Sequence, residues 1–65
     1  MKEKIGNDAG NVWNVLDTHG TKSVKDLKKA TKLTDKEMYA AIGWLAREGK
    51  LVFHEDENDL FISLT

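Results

Sequence analysis

A tight turn between two helical segments is the feature that most restricts how this chain can fold. Val24, Leu27 and Ala30 recur at the spacing of one helical face. Soon after them, Thr34-Asp35-Lys36-Glu37 matches a capping box, in which a threonine hydroxyl and a glutamate carboxylate bind free amides at a helix start. The residues between, Lys32-Leu33, leave room for a tight turn with Leu33 facing inward. Two adjacent helices are therefore predicted.

The other helix boundaries are also marked by the sequence. A first amphipathic helix is predicted from about residue 5 to residue 18, and Gly20 suits a left-handed cap after it. Ser23, at the end of a short extended link, can cap the second helix, which runs to about Thr31. The third helix runs to about Glu48 and is capped by Gly49. The apolar faces of the first and third helices consist of Ile5, Ala9, Val12, Trp13 and Leu16, and of Met38, Ala41, Ile42 and Leu45.

The end of the chain is predicted to form a β-hairpin. Residues 51–54 and 60–64 have the composition of strands, and the acidic segment 55–59 reads as the loop between them. Leu60, Ile62 and Leu64 share one face of the second strand, which should be the inner face. Three helices followed by a hairpin make a single α+β domain over residues 1–65.

This order of elements is that of the winged helix-turn-helix, and the segment Ser23–Val52 resembles the core of bacterial winged-helix regulators. The shared patterns are Leu-x-x-Ala-x-x-Leu-Thr at the turn and Leu-x-x-Glu-Gly-Lys-Leu-Val at the end of the third helix. Val12-Trp13-Asn14 together with AAIGWLAREGKL resembles a family of small bacterial winged helix-turn-helix proteins of uncharacterised function. The resemblance implies three helices followed by a C-terminal β-hairpin wing. Lys32 stands where such turns commonly have glycine at positive φ, at a cost of about 1 kcal/mol.

Several functional classes are excluded by what the sequence lacks. The chain contains no cysteine, and its two histidines have no ligand spacing, so no metal or disulfide is expected. The acidic loop lacks the glycine and the terminal glutamate of an EF-hand. No nucleophile motif or glycine-rich phosphate loop is present, so we expect no enzyme and no cofactor. The longest uncharged run, residues 38–46, is too short to span a membrane, so a cytoplasmic location is expected.

Charge is unevenly distributed along the chain, and this supports a first functional hypothesis. Residues 22–36 contain six lysines and two aspartates, a net charge of +4, whereas residues 48–65 contain five acidic residues and one lysine, a net charge of −4. The resemblance to winged-helix regulators implies DNA binding, and the basic second helix and the third helix are the predicted contacts with double-stranded DNA, because cations neutralise phosphates. The alternative for the lysines is a solvated face that keeps a small protein soluble. The candidate residues are Lys25, Lys28, Lys29, Lys36, Tyr39 and Arg47.

Two features weaken the DNA hypothesis. In this fold the third helix is the recognition helix, and its outward side offers Lys36 and Arg47 around a small centre at Ala40 and Gly43. That surface has few donors and acceptors with which to read bases. The wing loop 55–59 carries four acids, which repel phosphates. It could instead bind a basic surface, including the second helix of another copy.

The alternative hypothesis is a non-catalytic protein-interaction module, most simply a homodimer, that uses Tyr39, Gly43, Trp44 and the acidic wing. Gly43 has three candidate explanations: approach of a phosphate backbone, packing of a partner protein, or crossing by another element of the same chain. Trp13 is predicted to belong to the core. Trp44, off the apolar stripe, is predicted to be a lid at the core edge or a dimer contact.

Overall fold

Three helices and three short strands make up the part of the chain that the structure describes, residues 2–65. This computed structural model leaves Met1 outside the described residues. The elements are α1 (Lys2–His19), β1 (Lys22–Ser23), α2 (Val24–Thr31), α3 (Asp35–Arg47), β2 (Leu51–Glu55) and β3 (Leu60–Leu64). The predicted sequence of three helices and a C-terminal hairpin is confirmed. The helix α1 begins three residues earlier than predicted, and Glu55, predicted as the first residue of the loop, is the last residue of β2 and pairs with Leu60.

The sheet has one strand that the sequence did not reveal. Its order is β1-β3-β2, with β3 in the middle and both pairings antiparallel. The link before α2 was predicted to be extended, and it pairs with β3 as Lys22 opposite Ile62 and Ser23 opposite Phe61. The hairpin is thereby joined to the helices through β1 as well as through the end of α3.

A single core lies between the helices and the inner face of the sheet. Its buried apolar members are Ala9, Val12, Leu16, Leu27, Met38, Ala41, Ile42, Leu45, Leu51 and Ile62. The predicted stripe of α3 is entirely buried, and Trp13 is partly buried against the core, as predicted. Ala30 was expected on the apolar face of α2 but is exposed, so that helix packs through Val24 and Leu27.

The predicted helix caps are confirmed. Ser23 Oγ accepts a hydrogen bond from the Asp26 amide at 3.1 Å. In the capping box, Thr34 Oγ1 accepts from the Glu37 amide at 3.2 Å, and Glu37 Oε1 accepts from the Thr34 amide at 2.9 Å. Gly20, Lys32 and Gly49 have φ of 80°, 59° and 70°. Lys32 therefore adopts the left-handed conformation that favours glycine.

Lys32→Gly is expected to raise the free energy of unfolding by about 1 kcal/mol, because glycine adopts positive φ without a Cβ clash. Lys29→Gly is the matched control, since it makes the same replacement inside α2 and should lower stability by about 1 kcal/mol. Urea denaturation followed by circular dichroism measures both. Equal changes in the two variants would contradict the argument from φ.

An ion-pair network joins the N-terminal parts of α1 and α3. Lys4 Nζ lies 3.2 Å from an Asp8 carboxylate oxygen and 2.7 Å from Glu37 Oε2. The hydrogen bond from Lys4, followed by those from the Thr34 amide and hydroxyl, lowers the pKa of Glu37 from 4.5 to about 2. The carboxylate that caps α3 is therefore also the one that ties α3 to α1.

This network predicts a specific acid sensitivity. Because the folded pKa of Glu37 is depressed, its stabilising contribution is complete above pH 4.5 and is lost as the pH falls towards 2. The free energy of unfolding should fall more steeply across that window in the wild type than in Glu37→Gln. Glu48→Gln, at the exposed end of α3, serves as the control and should keep the wild-type slope. Identical slopes in all three proteins would refute the role given to Glu37.

Candidate functional site

The outward face of α3 is open to solvent over its whole length. We define this α3 face as Lys36, Tyr39, Gly43 and Arg47, all exposed, with Ala40 half-buried beside them. Tyr39 is 60% exposed, more than any other large hydrophobic side chain of the described residues. The face has a cation near each end and a small centre between them.

The acidic residues of α3 are both engaged by lysines from other helices. Asp35 forms an ion pair with Lys28 of α2, and Glu37 forms one with Lys4 of α1. Lys36 and Arg47 form no ion pair with any side chain of residues 3–65. The charge left uncompensated on α3 is therefore positive.

Gly43 is an open notch on this face. A Cβ placed at Gly43 would meet no other atom within 4 Å. The explanation that another element of the same chain crosses there is therefore wrong. Approach of a phosphate backbone and packing of a partner protein are the two explanations that remain.

The lysines of α2 differ in whether an acidic side chain neutralises their charge. Lys25 Nζ lies 3.8 Å from Asp59 Oδ1 of the wing loop, and Lys28 is paired with Asp35. Lys29 is exposed and has no ion pair with the described side chains. Exposed ion pairs contribute about 0–1 kcal/mol each, so Lys25 and Lys28 can exchange partners readily. Lys29 is the lysine of this set whose charge is already free.

The wing loop is held in a tight turn by its own polar groups. The Asp56 amide donates to the Asp59 carbonyl at 2.9 Å, and the Glu57 amide donates to Asp56 Oδ1 at 2.7 Å. Glu55, Asp56 and Glu57 are exposed. Sequence analysis suggested that the acidic wing could bind the basic second helix of another copy. In the structure a contact of this kind forms within one chain, between Asp59 and Lys25.

A groove that sequence analysis missed runs between α1 and α3. It has a volume of about 410 Å³, and Gly6, Gly10, Trp13, Trp44 and Lys50 are among its lining residues. Trp44 is 40% exposed and forms one wall. The sequence feature that could have indicated this groove is the pair Gly6 and Gly10, which lie one helical turn apart in α1. Because neither glycine has a side chain, they leave Trp13, on the same helix, uncovered.

Within the described part of the chain, no three side chains of the His, Cys, Asp or Glu types come together to hold a metal ion. Over residues 2–65, no helix is both long and apolar enough to cross a membrane.

Comparison with known proteins gives consistent results. The family model "Winged helix-turn-helix domain (DUF2582)" matches residues 1–64. An uncharacterised protein of Methanocaldococcus jannaschii is 37% identical over 70 residues, which cover 98% of this chain and 94% of the relative. The solution NMR structure of a Bacteroides thetaiotaomicron protein has a TM-score of 0.86 at 32% identity, covering 97% of this chain and 77% of that one. These likenesses extend over the α3 face and the wing alike.

Proposed function

The chain belongs to the winged helix-turn-helix (DUF2582) family, and from that premise we propose that it is a DNA-binding module of transcriptional-regulator type. The observation that carries the proposal is the α3 face, which is exposed, has cations at both ends and has its neighbouring acids neutralised by Lys4 and Lys28. Helix-turn-helix proteins place the equivalent helix in the major groove of the duplex.

The proposed contacts are chiefly to the phosphate backbone. Lys36 and Arg47 bind phosphates on either side of the notch at Gly43, and the Tyr39 hydroxyl hydrogen-bonds to the backbone or to a base edge. Lys29 adds a further cation from α2, while Lys25 and Lys28 bind DNA after exchanging Asp59 and Asp35 for phosphates. With so few side chains able to read bases, affinity depends strongly on salt and weakly on sequence.

The acidic wing restricts how the duplex approaches. Glu55, Asp56 and Glu57 are exposed, and they repel any phosphate near them. DNA therefore lies along α3 and the free cation of α2, with the wing loop turned away from it. This differs from docking in which a basic wing enters the adjacent groove.

The proposal is tested by a backbone-amide NMR titration of the labelled protein with a mixed-sequence duplex at low and at high salt. We expect shift changes at Lys25, Lys28 and Lys29 and from Lys36 to Arg47 that disappear at high salt. In the wing loop we expect a change only at Asp59, which loses its contact with Lys25. The absence of amide shift changes at low salt would refute the proposal that the protein binds DNA. Shifts centred on the wing loop would refute the docking geometry.

The groove between α1 and α3 supports a second candidate, a non-catalytic protein-interaction module. Trp44 is 40% exposed and lines the groove together with Trp13, Gly6 and Gly10 of α1. Exposed tryptophans beside a cleft are typical of interface hot spots. Tyr39 and Gly43 lie on α3 outside the lining of the groove, and we include them as a further part of the surface that contacts another protein or a second copy.

This second candidate predicts that tryptophan fluorescence changes when the partner binds. For a second copy, the emission of the wild type should change with protein concentration, while Trp44→Ala should remove that change. A fluorescence signal that does not vary with concentration excludes the homodimer through this groove.

A further inference from the structure

The outer strand of the sheet, β2, has one edge that pairs with nothing in residues 2–65. The sheet order β1-β3-β2 leaves that edge free. Two hydrogen bonds show which residues of this strand bond to β3. The Thr65 amide donates to the carbonyl of Lys50, which lies opposite it, at 3.1 Å. The Asp56 amide donates to the carbonyl of Asp59, its own opposite residue, at 2.9 Å. Antiparallel ladders alternate, so residues 50, 52, 54 and 56 bond towards β3. Leu51, Phe53 and Glu55 therefore direct their amides and carbonyls outward.

The same edge exposes apolar side chains on both faces of the strand. Phe53 is 43% exposed and Val52 is 38% exposed. Proteins commonly protect such an edge with an internal lysine, a proline or a bulge. The sequence of β2, LVFHE, has no lysine or proline. Its register against β3 is continuous, without a bulge.

We propose that two copies of the chain pair antiparallel through β2, with the two-fold axis at Phe53. In this register Phe53 faces Phe53 of the other copy, and Leu51 faces Glu55. Leu51, Phe53 and Glu55 are the residues whose backbone groups point outward, so the pairing forms about six hydrogen bonds. The pairing extends the sheet from three strands in one chain to six across the dimer.

Charge complementarity selects this register. With the axis at Phe53, Lys50 of each copy lies opposite Asp56 of the other, which gives one attractive pair at each end. An axis at Val52 places Lys50 opposite His54, and an axis at His54 places it opposite Asn58. Neither Lys50 nor Asp56 has an ion pair among the described side chains, so both are available.

The dimer is weak and depends on concentration. Stable interfaces bury about 1,600 Å² in total, and one strand pair of five residues buries much less. The β2 edge lies outside the α3 face, so this inference is independent of DNA binding.

Cysteine cross-linking tests the register directly, because the chain has no cysteine of its own. In Phe53→Cys the two Cα atoms across the axis should be about 5.5 Å apart, which suits a disulfide. In Val52→Cys, a control of similar exposure, the two copies are offset by two residues, which gives about 8 Å and no disulfide. Under mild oxidation we expect a cross-linked dimer from the first variant and a monomer from the second. A cross-link in Val52→Cys, or in neither variant, overturns the proposal.

A charge exchange provides a second and independent test. Lys50→Asp and Asp56→Lys should each weaken dimerisation about tenfold, because each replaces two attractive pairs by two repulsive ones. The double variant should recover the wild-type constant. Sedimentation equilibrium measures the constants, and amide spectra verify that each monomer is folded. A wild type that stays monomeric at every concentration, or a double variant that recovers nothing, refutes the pairing.

Discussion

Truncating Leu27 to alanine is expected to remove most of the stability of this protein. Leu27 is fully buried and is the buried residue of α2, an eight-residue helix. A leucine-to-alanine change in a core typically costs about 2–5 kcal/mol, from lost burial and the cavity left behind. A domain of this size has about 3–10 kcal/mol in total. The variant should therefore unfold at low denaturant or at moderate temperature, as measured by urea and thermal denaturation.

Leu60→Ala is the matched control for this prediction. Leu60 is half-buried at the start of β3, and the same chemical change there should cost roughly 1 kcal/mol. A similar loss in both variants would show that α2 is not held by Leu27. Since α2 supplies Lys29 and is linked to α3 by the ion pair between Lys28 and Asp35, the DNA affinity of Leu27→Ala should fall in proportion to the unfolded fraction.

Reversing both free cations of the α3 face should nearly abolish DNA binding. The double variant Lys36→Glu with Arg47→Glu replaces two phosphate contacts by two repulsions, so we expect affinity to fall about 100-fold at low salt. The slope of log affinity against log salt should decrease by about two, one for each contact. Fluorescence anisotropy of a labelled duplex over a salt series measures both quantities.

The control must change the net charge equally. The double variant Lys22→Glu with Lys50→Glu makes the same change in net charge. Lys22 lies in β1 and Lys50 lies just before β2, so both are outside the α3 face. This variant should lose less affinity than the first and keep nearly the wild-type salt slope. Equal losses would show that overall charge, and not the α3 face, governs binding, and the proposed interface would then be wrong.

Local signals explain why the helices and the hairpin could be predicted. The side chains of Ser23, Thr34 and Glu37 bond to backbone amides three residues away, so their role is readable from sequence. Lys32 was expected at positive φ and is found there. A strand as short as β1 has no periodicity to read, because two residues cannot show an alternation. Its pairing exists through β3, which lies far along the chain.

The candidate site was less predictable because its charges are set by tertiary contacts. The pairing of Lys4 with Asp8 follows from helical spacing. The pairings of Lys25 with Asp59 and of Lys4 with Glu37 join distant segments. The sequence alone therefore gave no reason to distinguish Lys25, Lys28 and Lys29 as phosphate contacts. In the structure Lys25 and Lys28 form ion pairs with acids, whereas Lys29 forms none with the described side chains. The residues of the α3 face could be predicted, because the rotation of about 100° per residue in a helix places them opposite the buried stripe.

Ser23 belongs to two elements at once, and this has a consequence for how the protein opens. It is buried, it ends β1 opposite Phe61, and its hydroxyl starts α2. Unwinding the first turn of α2 therefore disturbs the sheet, and detaching β1 leaves the amide of Asp26 without an acceptor. Hydrogen exchange should show the amides of α2 and of the β1–β3 pair opening together as one cooperative unit, at a shared free energy. Any molecule that holds the wing would then slow exchange in a helix it never touches.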